Sequence, residues 1–305
     1  MGNVNTGFLR KMTSEIQTDP NLHPDLPAIL PQGSVQYGLS LGDSTLPLNE
    51  HIGRTITLKH TGRIECQACG RPSKKSFSQG YCYPCFKKLA QCDLCLMSPE
   101  RCHFDAGTCR DNTFAETFCM QPHIVYLANS SGIKVGITKE ANLPTRWIDQ
   151  GAVQALPIMK VMTRQQSGFV EVAFKNHVAD KTQWQRMLKS QADHVDMIEV
   201  RDELMALVKP DLAPVIERFG ASNIQPILDA DVQTLTYPVL EYPTKVVSMN
   251  FDKTPTVTGQ LQGIKGQYLI FDTGVINLRR FTSYEIEFTP GEPLLDQDTE
   301  QLSLL

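Results

Sequence analysis

All nine cysteines of the chain fall between Cys66 and Cys119. Cys66-Gln-Ala-Cys69 and Cys82-Tyr-Pro-Cys85 form two CxxC pairs, and a two-residue gap lets each pair of thiolates turn back onto one tetrahedral ion. This set therefore reads as a structural zinc site. Gly70 directly follows the first pair, where the lack of a side chain permits a left-handed turn. A second set follows: Cys92-Asp-Leu-Cys95, Cys102, Cys109 and Cys119, with His103 beside the third. These are six candidates for a site that takes four ligands. Cys92, Cys95, Cys102 and Cys109 are favoured for a second zinc, with Cys119 or His103 as the first substitutes. An all-cysteine set would also suit an iron–sulfur cluster. Two closed sites would fold a segment too poor in apolar residues to build its own core, which makes them scaffolding.

The same segment is basic. Between Arg54 and Arg110 stand ten Lys/Arg against four acids, in a chain whose formal net charge is −4. A local surplus of six fits contact with a polyanion, with Lys74, Lys75, Lys87 and Lys88 placed to track a nucleic-acid backbone in a salt-dependent way. An ordinary solvated basic face is the competing reading. The 305 residues are 41% apolar, and no apolar run approaches the roughly 18 residues that would span a bilayer, so an integral membrane protein is not expected. The stretch from Met1 to Lys11 lacks the apolar core of a secretory signal, so the expected location is the cytoplasm, where thiols stay reduced.

The elements that must position any chemistry come after Cys119. His123–Ala128 and Ile133–Thr138 read as strands joined by the turn Asn129-Ser-Ser-Gly132. Pro144 suits the start of a helix that carries Arg146 and Trp147 and ends at Gly151. Pro157–Thr163 reads as a third strand. Ser167 can cap a further helix in which Val170, Ala173, Phe174 and Val178 share an apolar face. Residues 196–228 read as helices broken by Pro210 and Pro214. His177 and His194 read as helix-surface residues.

This order of hairpin, helix, strand and helix resembles the GIY-YIG nuclease domain. Val125-Tyr126 resembles the end of the family's first motif and Lys134-Val135-Gly136 its second, with lysine in place of tyrosine, as in a phage-type branch. Arg146 matches the helix arginine and Glu171 the metal-binding glutamate; the asparagine expected beyond that helix has no counterpart. The resemblance implies that Tyr126 activates water, Arg146 with Lys134 stabilises the phosphoryl group, and Glu171 holds Mg²⁺ or Mn²⁺. It covers roughly residues 122–185.

Nearly the whole chain is also similar to a bacterial family that carries only a domain-of-unknown-function label. Gly80-Tyr-Cys-Tyr-Pro-Cys85, Cys109-Arg110, Thr145–Gly151, Asp180-Lys-Thr182 and Gly263–Leu269 carry that likeness. The flanks, residues 33–65 and 255–288, alternate short β-prone runs with turns and are expected to pair into one small β-domain, with Lys265, Arg279 and Arg280 as a conceivable phosphate-facing edge, though an ordinary solvated edge fits as well. After Pro290-Gly291 the chain is acidic and poor in aromatic residues, a disordered composition. It finishes Gln301-Leu302-Ser303-Leu304-Leu305, which resembles the peptide by which bacterial replication and repair proteins dock on the polymerase sliding clamp.

The expected architecture is α+β: a β-rich segment (1–62), a Cys-rich double zinc module (63–120), a GIY-YIG-like domain with a helical extension (121–228), a β-rich C-terminal domain (229–290) and the tail (291–305). The expected function is metal-dependent phosphodiester hydrolysis on DNA, delivered by the clamp. The alternative is a non-catalytic, zinc-containing adaptor for DNA or RNA.

Overall fold

The computed structural model describes residues 4–16, 34–178 and 183–291. The clamp-like peptide of Gln301, Leu302, Leu304 and Leu305, the acidic tail and Asp180–Thr182 lie outside them.

Turn-separated runs of β-prone residues make the N-terminal strands β1 (Asn5–Phe8), β2 (Thr13–Glu15), β3 (Gln36–Leu41), β4 (Ser44–Pro47) and β5 (Thr55–Ile64). The middle of the chain supplies β6 (His123–Asn129), β7 (Ile133–Lys139), β8 (Gln154–Val161), β9 (Ile224–Pro226) and β10 (Gln233–Thr234). The C-terminal strands are β11 (Thr256–Lys265), β12 (Tyr268–Phe271), β13 (Gly274–Asn277) and β14 (Tyr284–Thr289). Helices are α1 (Tyr83–Lys88), α2 (Asn112–Phe114), α3 (Thr145–Asp149), α4 (Arg164–Lys175), α5 (Trp184–Met187) and α6 (Met197–Phe219).

Strands from both flanks share one six-stranded sheet in the order β1-β14-β5-β11-β12-β13, while β3 and β4 of the N-terminal flank pair with β2 in a separate three-stranded sheet instead. Strand β5 lies between two C-terminal strands, with Leu58 opposite both Phe288 of β14 and Val257 of β11. Along β14, Tyr284, Ile286 and Phe288 are buried and alternate with half-buried residues, the period-two signature of a strand with one face on the core. The central sheet runs β10-β8-β6-β7, all antiparallel, with β9 also on β8.

Both faces of that sheet are covered, so all seven residues of β6 are buried. Val125 and Leu127 pack with Val170 and Phe174 of α4 and Leu204 and Val208 of α6. Ile124, Tyr126 and Ala128 belong instead to the core shared with Trp147 and Ile148 of α3 and with the six-stranded sheet. Strand β6 is thus the wall between two cores, which is why its sequence lacks a polar alternation. Among the described residues, no helix is long and apolar enough to cross a membrane.

Three details differ from the sequence expectations. Helix α4 starts one turn early, at the N-cap Thr163, because Thr163 and Gln166 form a reciprocal capping box; Ser167 lies inside the helix and is buried. Pro210 and Pro214 do not break the chain into separate helices, because both sit inside α6 on its exposed face. There water can take the carbonyls that lose their partners, while Arg201, Leu204, Val208, Leu212 and Val215 keep one continuous buried stripe. Lys265 is no surface phosphate contact: it is fully buried, its ammonium donates to the Ser190 carbonyl at 3.2 Å, and it lies over the rings of Tyr237 and Tyr242.

Candidate functional site

The first cysteine quartet is assembled from two turns. In one, Gly70 takes the left-handed conformation (φ 69°) and its N–H closes back on the Cys66 carbonyl at 2.8 Å, so that Cys69 turns toward Cys66. In the other, Cys82 is the N-cap of α1 and Cys85 lies one turn inside it, after Pro84 in the first turn. The four sulfurs of Cys66, Cys69, Cys82 and Cys85 all lie within 4.8 Å of one another, with Cys69 and Cys82 3.8 Å apart. Four thiolates around zinc at about 2.3 Å stand about 3.8 Å apart. Burial pushes the Cys66 thiol up, but hydrogen bonds from the backbone of Cys82, Ala68 and Cys69 outweigh it and bring it down to about 6. Backbone donors aimed at sulfur favour the thiolate that a metal needs. The quartet could hold a metal such as zinc.

The second set is arranged differently from the favoured combination. Cys92 does not line the cavity that the other four share; its thiol lies near Ser78 and in electrostatic reach of Arg110 and Cys66. Cys95, Cys102, Cys109 and Cys119 instead line one small cavity, together with Asp93 and His103. Asp93 is the bracket of this loop. It accepts from the Leu94 N–H at 2.6 Å and pairs with Arg110 at 2.7 Å, while His103 Nδ1 meets the Thr108 hydroxyl at 2.8 Å.

Tyr126, Lys134, Arg146 and Glu171 come from four different elements and gather near the β7 edge of the central sheet. Tyr126 of β6 faces Gly136 of β7. A Cβ at Gly136 would stand 2.6 Å from the tyrosine hydroxyl, so the glycine is what lets the ring lie across its neighbour strand. The hydroxyl donates to Gln150 Oε1 at 2.9 Å, and the ring meets Trp147 edge-on with centroids 6.1 Å apart. Tyr126 is fully buried. Burial pushes its pKa up to about 12, against the pull of the Arg146 charge and hydrogen bond; Glu171 raises it further and the Gln150 hydrogen bond lowers it.

Lys134 is also buried, and burial first and the Arg146 charge second bring it down to about 8. Arg146 is exposed on α3. Glu171 on α4 is 17% exposed and faces Lys175, one turn on, at 3.5 Å. Arg164, which no local pattern marked, lies in electrostatic reach of both Arg146 and Glu171 and donates to the Leu96 carbonyl at 2.7 Å.

The group thus sets Lys175 and Arg164 beside the Glu171 carboxylate, with Arg146 in electrostatic reach of both Arg164 and Lys134. Such a set attracts anions. It is a poor cage for a hard divalent cation, which takes about six oxygen ligands; among the described residues, no cluster of three or more metal-ligating side chains includes Glu171. Gln150, Arg164 and Lys175 were not singled out from the sequence. Gln150 and Arg164 reach the cluster through tertiary packing alone, whereas the i,i+4 spacing of Glu171 and Lys175 was a readable signal.

Lys74, Lys75, Lys87 and Lys88 are all exposed on the Cys-rich module. Beside the second pair, Phe77, Tyr83 and Phe86 form an aromatic group with centroid separations of 5.5 to 6.4 Å, and Tyr83 is 55% exposed.

No curated protein and no solved structure matches the chain. One family model, described as "Protein of unknown function (DUF2797)", matches residues 53–286. That span runs from β5 through the Cys-rich module and the central sheet into β14, and so the chain belongs to the DUF2797 family.

Proposed function

We propose that this protein binds nucleic acid without cutting it. The observation that carries this reading is the state of Tyr126: its hydroxyl is fully buried and already donates to Gln150, so it is poorly placed to activate water. The Glu171 carboxylate near it is faced by Lys175 and Arg164, with Arg146 close to Arg164, a surplus of positive charge suited to holding phosphate. The exposed Lys74, Lys75, Lys87 and Lys88 add a backbone-tracking face next to an exposed tyrosine on which a base can stack.

Metal-dependent hydrolysis of the GIY-YIG type is the second reading. It is favoured by the convergence of Tyr126, Arg146 and Glu171 and by the hairpin, helix, strand and helix order of the central domain; Glu171 would then hold the cation. DNA is the first expected partner, and RNA fits either reading as well. The terminal Gln301–Leu305 peptide supports docking on a sliding clamp, in which case deleting it abolishes binding to the isolated clamp.

A labelled panel of single-stranded, duplex and branched DNA, plus RNA, incubated with the protein and Mg²⁺ or Mn²⁺, separates the two readings. Binding without cutting, equal in wild type and Glu171→Ala, is the expected result. Cutting that disappears in the variant would replace it with the nuclease. Lys74→Glu/Lys75→Glu should weaken binding and lower the salt slope by about one per lysine; an unchanged slope would remove this face from the interface.

A further inference from the structure

We propose that Cys95, Cys102, Cys109 and Cys119 hold a second structural zinc ion, and that Cys92 takes no part in it. The four cysteines come from separate turns: Cys95 from a short 3-10 turn (Leu94–Leu96), Cys102 and Cys109 from the ends of the loop that follows, and Cys119 from the end of a π-helical turn (Ala115–Cys119) leading into β6. All four line a single cavity of about 10 Å³. Cys95 and Cys119 each lie in electrostatic reach of Cys102 and Cys109, but their sulfurs are more widely spread than those of the first quartet, which all lie within 4.8 Å of one another, so the loop must draw in around the ion.

Spacing alone favours Cys92 with Cys95 as a CxxC pair, and the structure gives the reason that it fails here. Cys92 is absent from the cavity lining, and its thiol lies near Ser78 and in electrostatic reach of Cys66 as well as of Arg110.

Asp93 and His103 are the competing ligands, since their ligand atoms and the Cys95 sulfur lie within 4.8 Å of one another. Asp93 pairs with Arg110 and accepts from the Leu94 N–H, while His103 Nδ1 meets the Thr108 hydroxyl and its Nε2 faces Asp93 at 3.5 Å. They fit the outer shell, where hydrogen bonds orient the ligand loop, and four soft thiolates make the better zinc set. The ion would also fasten this loop to the central domain, because the carbonyls of Leu96 and Cys102 accept from Arg164 at 2.7 Å and Gln165 at 3.0 Å on the first turn of α4.

The test is zinc content of the full chain by native mass spectrometry after zinc loading and removal of free metal. Two zinc ions per chain are expected for wild type, Cys92→Ser and His103→Ala, and one for Cys95→Ser, Cys102→Ser, Cys109→Ser and Cys119→Ser. One zinc in wild type, or loss of an ion from Cys92→Ser or His103→Ala while Cys119→Ser keeps two, would overturn the assignment. So would iron and sulfide with visible charge-transfer absorbance in anaerobically purified protein. Should a cysteine variant fail to fold, cadmium NMR of the substituted wild-type chain decides: two resonances in the all-thiolate range support the site, and a single one, or one displaced toward nitrogen or oxygen ligation, refutes it.

Discussion

Lys265 and Tyr126 show how far a single residue's role depends on burial. Each sits in a strand-like run that the sequence displays openly, yet neither environment could be read there. Burial brings the Lys265 ammonium down to about 8 from an ordinary value of 10.5. Between those values the unfolded chain holds a proton that the native protein has released, so stability rises with pH across that window, by roughly 3 kcal/mol from this lysine. The tyrosines that face it, Tyr237 and Tyr242, stay neutral there because burial raises both, Tyr242 to about 12. Lys134, brought down to about 8 by burial and by Arg146, contributes in the same direction. Lys265→Met should therefore reduce, without abolishing, the rise in urea-unfolding free energy between pH 8 and 10.5; an unaltered rise would show that Lys265 titrates normally.

At the scale of elements, α4 joins the two halves of the candidate site. Its first turn receives the second cysteine loop, and its third presents Glu171. Gly168 is the close approach between them: a Cβ there would stand 2.5 Å from the Glu100 nitrogen and 2.7 Å from the Pro99 Cβ. Alanine gains about 1 kcal/mol of helix propensity over glycine, but overpacking against backbone costs typically 1–3 kcal/mol. Gly168→Ala is therefore expected to lower the urea midpoint with an unchanged m value, and a raised midpoint would mean that the loop yields easily. The extents of these elements were only partly legible. Thr163 and Ser167 can both cap a helix, and the reciprocal bond with Gln166 selects the first. Pro210 and Pro214 are ordinary helix breakers, overridden because a 23-residue helix buries its stripe on the side away from them.

The described residues make a six-stranded sheet closed by both flanks of the chain, a three-stranded sheet of β2, β3 and β4, a central sheet with two covered faces, and a Cys-rich module. The module contributes Cys66, Cys82, Cys92 and Cys119 to the buried residues but few large apolar side chains, so metal should supply much of its folding free energy. Stripping metal with a thiol-displacing reagent and a chelator should abolish amide exchange protection from Cys66 to Cys119 and leave β6 and β11 protected. Uniform protection in both forms would make the ion dispensable. The first metal quartet was determined by sequence alone, because two residues between cysteines constrain a turn whatever surrounds it; the succession of strands and helices after Cys119 was legible for the same local reason. The membership of the second quartet, the burial of Tyr126 and Lys265, and the insertion of β5 between β11 and β14 were decided only by the tertiary structure. Each depends on which distant surface covers a residue, and that is fixed by the packing of segments from opposite ends of the chain, as in the pairing of Asn5 with Phe288.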